Sequence, residues 1–126
     1  MLVDTDVFIW HLRGYPAATQ RLDQLASLTL SAVTYLELLQ GMRNRREMAA
    51  LQKSLAGRQA QQWPLTPAIT ARAVSLMETY TLSHGMQLGD ALIAATALEQ
   101  QLTVLTGNVK HFQGIEGLQI EAFKND

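Results

Sequence analysis

Short apolar runs alternate with longer stretches of helical periodicity along this chain, and that alternation predicts its fold. Met1 to Asp4, Leu28 to Ser31, Gln61 to Leu65, Leu102 to Thr106 and Leu118 to Phe123 are brief and largely apolar, as buried strands are. Between them apolar positions recur at helical spacing. Pro16 opens a helix with Ala18, Leu22 and Leu25 on one face, and Thr34 to Gln40 is expected to be helical up to Gly41. Asn44 is placed to cap a longer helix carrying Met48, Leu51 and Leu55 as far as Gly57. Both glycines stand where a residue just past a helix end belongs. Thr66-Pro67 starts the clearest helix, with Ile69, Ala73, Leu76, Met77 and Tyr80 along one stripe and Gly85 at its end. From Asp90 onward, Ala91 to Leu98 is apolar all round, as a helix packed against a sheet on most sides would be.

Strands separated by helices predict an α/β domain of three layers, a central, mostly parallel five-stranded sheet flanked by helices, with residues 1–126 forming a single domain. In such a sheet each helix that follows a strand starts near the carboxyl edge of the strands, where open α/β folds bind their ligands. Asp4 ends the first strand, Glu37 is expected in the first turn of the helix after the second, and Asp90 opens the helix that leads into the fourth. All three acids are therefore expected on one rim, which Asn108 shares.

Composition narrows the function. The chain has no cysteine, which excludes disulfides, thiolate zinc sites and a thiol nucleophile. The first residues lack the pattern of a secretory leader, and no apolar run is long enough to span a bilayer, so no membrane association is expected and the cytoplasm is the expected location. A formal net charge of −1 excludes a protein that coats nucleic acid by bulk positive charge, leaving only local basic patches for such a substrate. Charged residues make up 17% of the chain against 48% apolar residues, a balance that leaves apolar surface to face a partner.

Each rim acid has an ordinary structural explanation, because helix N-termini favour carboxylates. Asp4 would cap the turn Thr5-Asp6-Val7, Thr34 to Glu37 spells a capping box in which Glu37 returns to the backbone N–H of Thr34, and Asp90 is a first-turn acid. Capping does not, however, require the three segments to converge. Carboxylates brought together repel and raise one another's pKa values unless a hard cation neutralises them, and an oxygen-only ligand set suits Mg²⁺ or Mn²⁺.

Several segments resemble those of PIN-domain nucleases. Leu2-Val3-Asp4-Thr5-Asp6-Val7-Phe8-Ile9 resembles their opening motif, and Ser31-Ala32-Val33-Thr34-Tyr35-Leu36-Glu37-Leu38 their second. Gly89-Asp90-Ala91-Leu92-Ile93-Ala94-Ala95-Thr96-Ala97 resembles the third, and Leu105-Thr106-Gly107-Asn108-Val109-Lys110-His111-Phe112 the fourth, in matching order. Size and layout most resemble VapC-type toxins of toxin–antitoxin pairs. The resemblance implies strand order 3-2-1-4-5, an Mg²⁺- or Mn²⁺-dependent endoribonuclease acting on tRNA or ribosomal RNA, a homodimer, and inhibition by a small antitoxin. It also implies that Asp4, Glu37 and Asp90 hold the metal, and that a metal-activated water attacks phosphorus without needing a 2′-hydroxyl. Many relatives carry an acid near Asn108, which here offers only a neutral oxygen, while Asp6 stands where many have Asn and would return one carboxylate to the site.

Thr106 is either a strand-end hydroxyl or a substrate-side group that hydrogen-bonds a metal-bound water. Arg43, Arg45 and Arg46 form the one tight basic group, and with Lys110 they are candidate contacts to substrate phosphates, against the plainer reading of a solvated face. None of the three histidines is assigned to catalysis. Two rival functions remain. A receiver-like phosphoacceptor domain would need an aspartate after the third strand, where Trp63-Pro64-Leu65-Thr66 stands instead. A noncatalytic or weakly active RNA- or protein-binding module on the same fold is motivated by the amide at Asn108.

Overall fold

The structure is a computed structural model that describes residues 1–125. Five parallel strands, β1 (Leu2–Val3), β2 (Thr29–Ser31), β3 (Gln61–Trp63), β4 (Val104–Thr106) and β5 (Ile120–Ala122), form one sheet in the order β3-β2-β1-β4-β5. All four neighbouring pairs are parallel, so the expected strand order holds and "mostly parallel" becomes wholly parallel among the described residues. The helices are α1 (Thr5–Leu12), α2 (Pro16–Asp23), α3 (Ala32–Gln40), α4 (Arg45–Gly57), α5 (Pro67–His84), α6 (Leu88–Gln100) and α7 (Val109–Phe112).

The two-residue period of the strands divides the core. Leu2 and Val104 point to one face, where they pack with Ile69, Ala73 and Leu76 of α5, Ala91, Ile93, Ala94 and Ala97 of α6, and Phe112 of α7. Val3 and Leu105, one residue along, point to the other, against Val7 and Phe8 of α1, Ala18 and Leu22 of α2, Leu38 of α3 and Leu51 of α4. Three layers result. The all-round apolar character of Ala91 to Leu98 follows from its place: Ala91 and Ile93 to Ala97 are all buried.

Local chemistry explains the helix ends, with some corrections. Asn44 caps α4 by accepting from the Glu47 N–H (2.9 Å), Thr66 caps α5 through Ile69 N–H (3.1 Å), and Gly85 ends α5 in the left-handed conformation (φ +63°). Gly41 and Gly57 do not take the left-handed role: Gly41 lies at φ −83°, Gly57 is still helical, and Gln59 is the residue at positive φ after α4. α3 begins earlier than its pattern suggests, because Ser31, the last residue of β2, is itself the N-cap and accepts from Val33 N–H (3.1 Å). Strand therefore passes into helix with no loop. The same happens at Asp4, which follows β1 and caps α1, an element the apolar pattern alone did not reveal as a full helix.

Candidate active site

Loopless strand-to-helix junctions fix the acids on the carboxyl edge of the sheet. Asp4 is buried, with 6% of its surface exposed, and both its oxygens are engaged: Thr5 N–H donates to Oδ1 (2.7 Å) and the Thr106 hydroxyl donates to Oδ2 (2.7 Å). Thr106 is fully buried and in turn accepts from Asn108 N–H (2.9 Å). It is thus an orienting group for Asp4, too deep to meet a substrate directly. Asp6, one residue into α1, receives the Gly107 N–H (3.0 Å) and the Asn108 side-chain amide (3.3 Å) on Oδ2, while its Oδ1 is buried with no partner.

Glu37 and Asp90 come from the helices beside this pair. Because α3 starts at Ala32, Glu37 sits in its second turn, and the expected capping box does not form; its Oε1 instead accepts from the Thr5 hydroxyl (2.7 Å). Asp90 lies in the first turn of α6, with Nδ1 of His111 3.4 Å from its Oδ2. The sequence pattern assigns His111 no role. No spacing rule links it to Asp90, because only the turn after β4 and the short α7 bring it round.

The electrostatics are those of acids brought together, with His111 as the nearby group that opposes their repulsion. Burial, then the charge of Asp6, and more weakly that of Asp90, push the Asp4 carboxyl up to about 7, against the lowering effect of Thr106 and Thr5. Burial also raises Asp6, opposed by the Gly107 N–H and by His111. Asp90 is raised by burial and by Glu37, with His111 opposing. Asp4, Glu37 and Asp90 therefore share one electrostatic neighbourhood, as expected, with Asp6 and His111 inside it. Among the described residues no group of three such side chains is drawn in to the spacing of a filled metal cage. The donor types nonetheless suit a hard divalent cation: carboxylates that feel one another's charge, one oxygen orphaned and buried, with no thiolate and a single, half-exposed imidazole.

Two glycines missed from sequence make room for this arrangement. A Cβ on Gly107 would lie 2.5 Å from the Trp10 ring and 2.9 Å from Asp6 Oδ2, and one on Gly89 would lie 3.0 Å from Glu37 Oε2. A glycine beside an acid motif was the available signal, but its reason is spatial.

The basic candidates separate. Arg43 is tied to Glu47 by its guanidinium (2.6 Å from Nη2) and by its backbone N–H (2.8 Å), so its charge is already matched. Arg45 and Arg46 are exposed at the start of α4, and Lys110 is exposed on α7. Arg13, Arg43, Glu37 and Glu47 border a groove of about 440 Å³ with apolar walls from Ile9, Leu12, Leu38 and Met42, so the groove runs up to the acidic rim at Glu37.

The chain resembles known proteins over nearly its whole length. The family model described as PIN domain matches residues 1–117. The chain is 44% identical to Ribonuclease VapC10 of Mycobacterium tuberculosis (strain CDC 1551 / Oshkosh) over 125 residues, covering 94% of this chain and 90% of that protein. It is 38% identical to Ribonuclease VapC19 of the same strain over 124 residues, covering 94% and 96%. A solved toxin-antitoxin complex from Klebsiella pneumoniae contains a chain that superposes with a TM-score of 0.82 at 25% identity, over 99% of this chain and 98% of that one. With the family model spanning most of the chain, relatives at 38% and 44% identity over 94% of it, and a matching fold, the chain belongs to the PIN-domain family.

Proposed function

We propose that this protein is a metal-dependent endoribonuclease of the VapC toxin type, in which Asp4, Glu37 and Asp90 hold Mg²⁺ or Mn²⁺. The observation that carries the reading is the setting of Asp4: a buried carboxylate that caps α1 and bonds Thr106 lies in the same neighbourhood as Asp6 and Asp90, and burial with those charges pushes it up to about 7, a repulsion that a cation relieves. A divalent ion held by Asp4, Glu37 and Asp90 would supply Lewis acidity, to activate water and to neutralise charge on the phosphodiester.

The chain's own groups do the rest. Thr106 and Thr5 orient Asp4, and Asp90, largely shielded beside His111, is the acid that would accept a proton from the attacking water. Asp6 contributes the charge that Asn108 lacks, while the Asn108 amide steadies Asp6. Arg45, Arg46 and Lys110 are exposed cations that would contact backbone phosphates, with Arg43 in a lesser role because of Glu47. Names of relatives support the substrate and the partner: two are called ribonucleases, and the Klebsiella chain was solved in a toxin-antitoxin complex. The groove beside Glu37 suits an apolar segment with a basic residue from such an antitoxin. A homodimer is part of the same proposal, with exposed Leu82 and Leu88 as apolar surface to bury. No helix among the described residues is long and apolar enough to cross a membrane.

Cleavage of labelled tRNA and ribosomal RNA by the partner-free chain tests this, with Mg²⁺ or Mn²⁺, with chelator, and with Asp90→Asn. Discrete metal-dependent cuts are expected, weakened by roughly two to three orders of magnitude in the variant, as for loss of a group that stabilises transition-state charge. Asn108 motivates the alternative of a noncatalytic or weakly active binding module, and RNA retention without cleavage under the same conditions would favour it. A fully active Asp90→Asn protein would remove the proposed site.

A further inference from the structure

Thr5 touches two of the acids at once. Its backbone N–H donates to Asp4 Oδ1 (2.7 Å), and its hydroxyl lies 2.7 Å from Glu37 Oε1 and 3.1 Å from the hydroxyl of Thr34. A hydroxyl carries one proton. The short contact to the carboxylate takes it, which leaves the longer contact to be made by Thr34 donating to Thr5. Thr34 is fully buried in α3, so the relay Thr34 to Thr5 to Glu37 is anchored in the core at one end and reaches the site at the other.

Glu37 needs such an anchor more than the other acids do. It is exposed, it projects from the second turn of its helix, and the Thr5 hydroxyl is the one hydrogen-bond donor to its carboxylate among the described residues. On the opposite side its Oε2 faces Gly89, where a Cβ would stand 3.0 Å away. A long side chain left unpinned would distribute over several rotamers and lose entropy on binding an ion.

We propose that Thr5 is a positioning residue that holds the Glu37 carboxylate in its ligating orientation and links it mechanically to Asp4. The proposal rests on the reading of Glu37 as a metal-holding acid.

Calorimetric titration of the metal-free full-length chain with Mn²⁺ tests it, using Thr5→Val, Thr5→Ser and Glu37→Gln, with thermal midpoints recorded without metal. Thr5→Val keeps the shape and loses the hydroxyl. It is expected to weaken Mn²⁺ binding by roughly ten-fold or more, the range seen when partners of ligands are removed. Thr5→Ser is expected to rescue affinity to near the parent value, and cleavage by Thr5→Val is expected to recover as Mn²⁺ is raised. Parent-like affinity in Thr5→Val, or a Thr5→Ser protein as weak as Thr5→Val, overturns the proposal. If Glu37→Gln also binds Mn²⁺ like the parent, the metal-ligand reading of Glu37 falls with it; if Glu37→Gln is weak while Thr5→Val is not, only the positioning role falls. Should Thr5→Val fail to fold, Thr34→Val takes its place: weakened Mn²⁺ binding supports the relay, and unchanged binding overturns it.

Discussion

The two ends of the sheet treat charge in opposite ways. At the carboxyl rim Asp4, Asp6, Glu37 and Asp90 crowd together, and the nearest cationic candidate is a half-exposed His111 3.4 Å from Asp90. At the other end, where α1, α2 and α4 finish, Asp23 is paired with Arg58 at 2.7 Å. There His11 is bonded through one ring nitrogen to Thr19 (2.7 Å) and through the other to Ser54 (3.3 Å). One end has its polar groups satisfied within the fold; the other holds an orphaned Asp6 oxygen and an Asp4 far from its ordinary pKa. Local rules broken in one place and obeyed elsewhere mark where a protein has been shaped for binding over stability.

Acidity should expose the contrast most strongly. Asp4 is raised from 3.8 to about 7 on folding, so between those values the native state holds a proton that the unfolded chain has released. The metal-free protein should therefore lose stability as pH rises from about 4 to about 7, by an order-of-magnitude few kcal/mol. Chemical denaturation across that range, with chelator and then with Mn²⁺, measures it; the loss should be largely abolished by the ion and absent in Asp4→Asn. A flat metal-free profile would remove the electrostatic strain inferred at the rim. His11 runs the other way. Burial, with help from Arg58, lowers its pKa, so the unfolded chain takes up a proton first as pH falls, and this end loses stability toward acid. His11→Gln should remove that contribution without touching the slope due to Asp4.

A smaller effect is expected from Gly107→Ala. Its Cβ would overlap the Trp10 ring, itself stacked at a tilt on Phe123 with 5.5 Å between centroids, so the β4–α7 turn would shift away from Asp6. Overpacking of this kind costs about 1–3 kcal/mol, read as a lowered denaturation midpoint together with weaker Mn²⁺ binding. Loss of stability with unchanged Mn²⁺ affinity would show that the turn supports the fold but not the site. Least of all should follow from Asp23→Ala at the far end. The ion pair is largely exposed on the Asp23 side, and such pairs contribute about 0–1 kcal/mol. Cleavage should not change; a large fall in activity would mean that the two ends are coupled.

The residues that carried the fold in sequence were those whose pattern repeats. Strict helical spacing from Ile69 to Tyr80 gave α5, the apolar run after Asp90 gave α6, and short apolar runs gave all five strands, though each is shorter than its run. α1 and α7 were harder to read. The amphipathic stripe of α1 is blurred because Val7 and Phe8 are buried while Ile9 and Trp10 are partly covered from other sides, and α7 is a single short turn. Asp4, Glu37 and Asp90 were legible as acids expected at one edge, because strand and helix alternate. Thr5, Gly89, Gly107 and His111 were not, since each acts through a partner distant in sequence.

What the sequence determined alone was therefore periodic or local: the α/β alternation, the three layers, the identity of the rim acids, and caps such as Asn44 and Thr66. A period or a cap is decided within a few residues of chain. The tertiary structure alone decided how those acids are held. It turned Glu37 from its own helix N-terminus to the Thr5 hydroxyl, set Thr106 beneath Asp4, aimed the Asn108 amide at Asp6 and placed His111 by Asp90. These contacts span from 21 to 102 positions of sequence. They arise because parallel strands deliver their carboxyl ends to one edge, a consequence of the whole sheet that no single segment encodes.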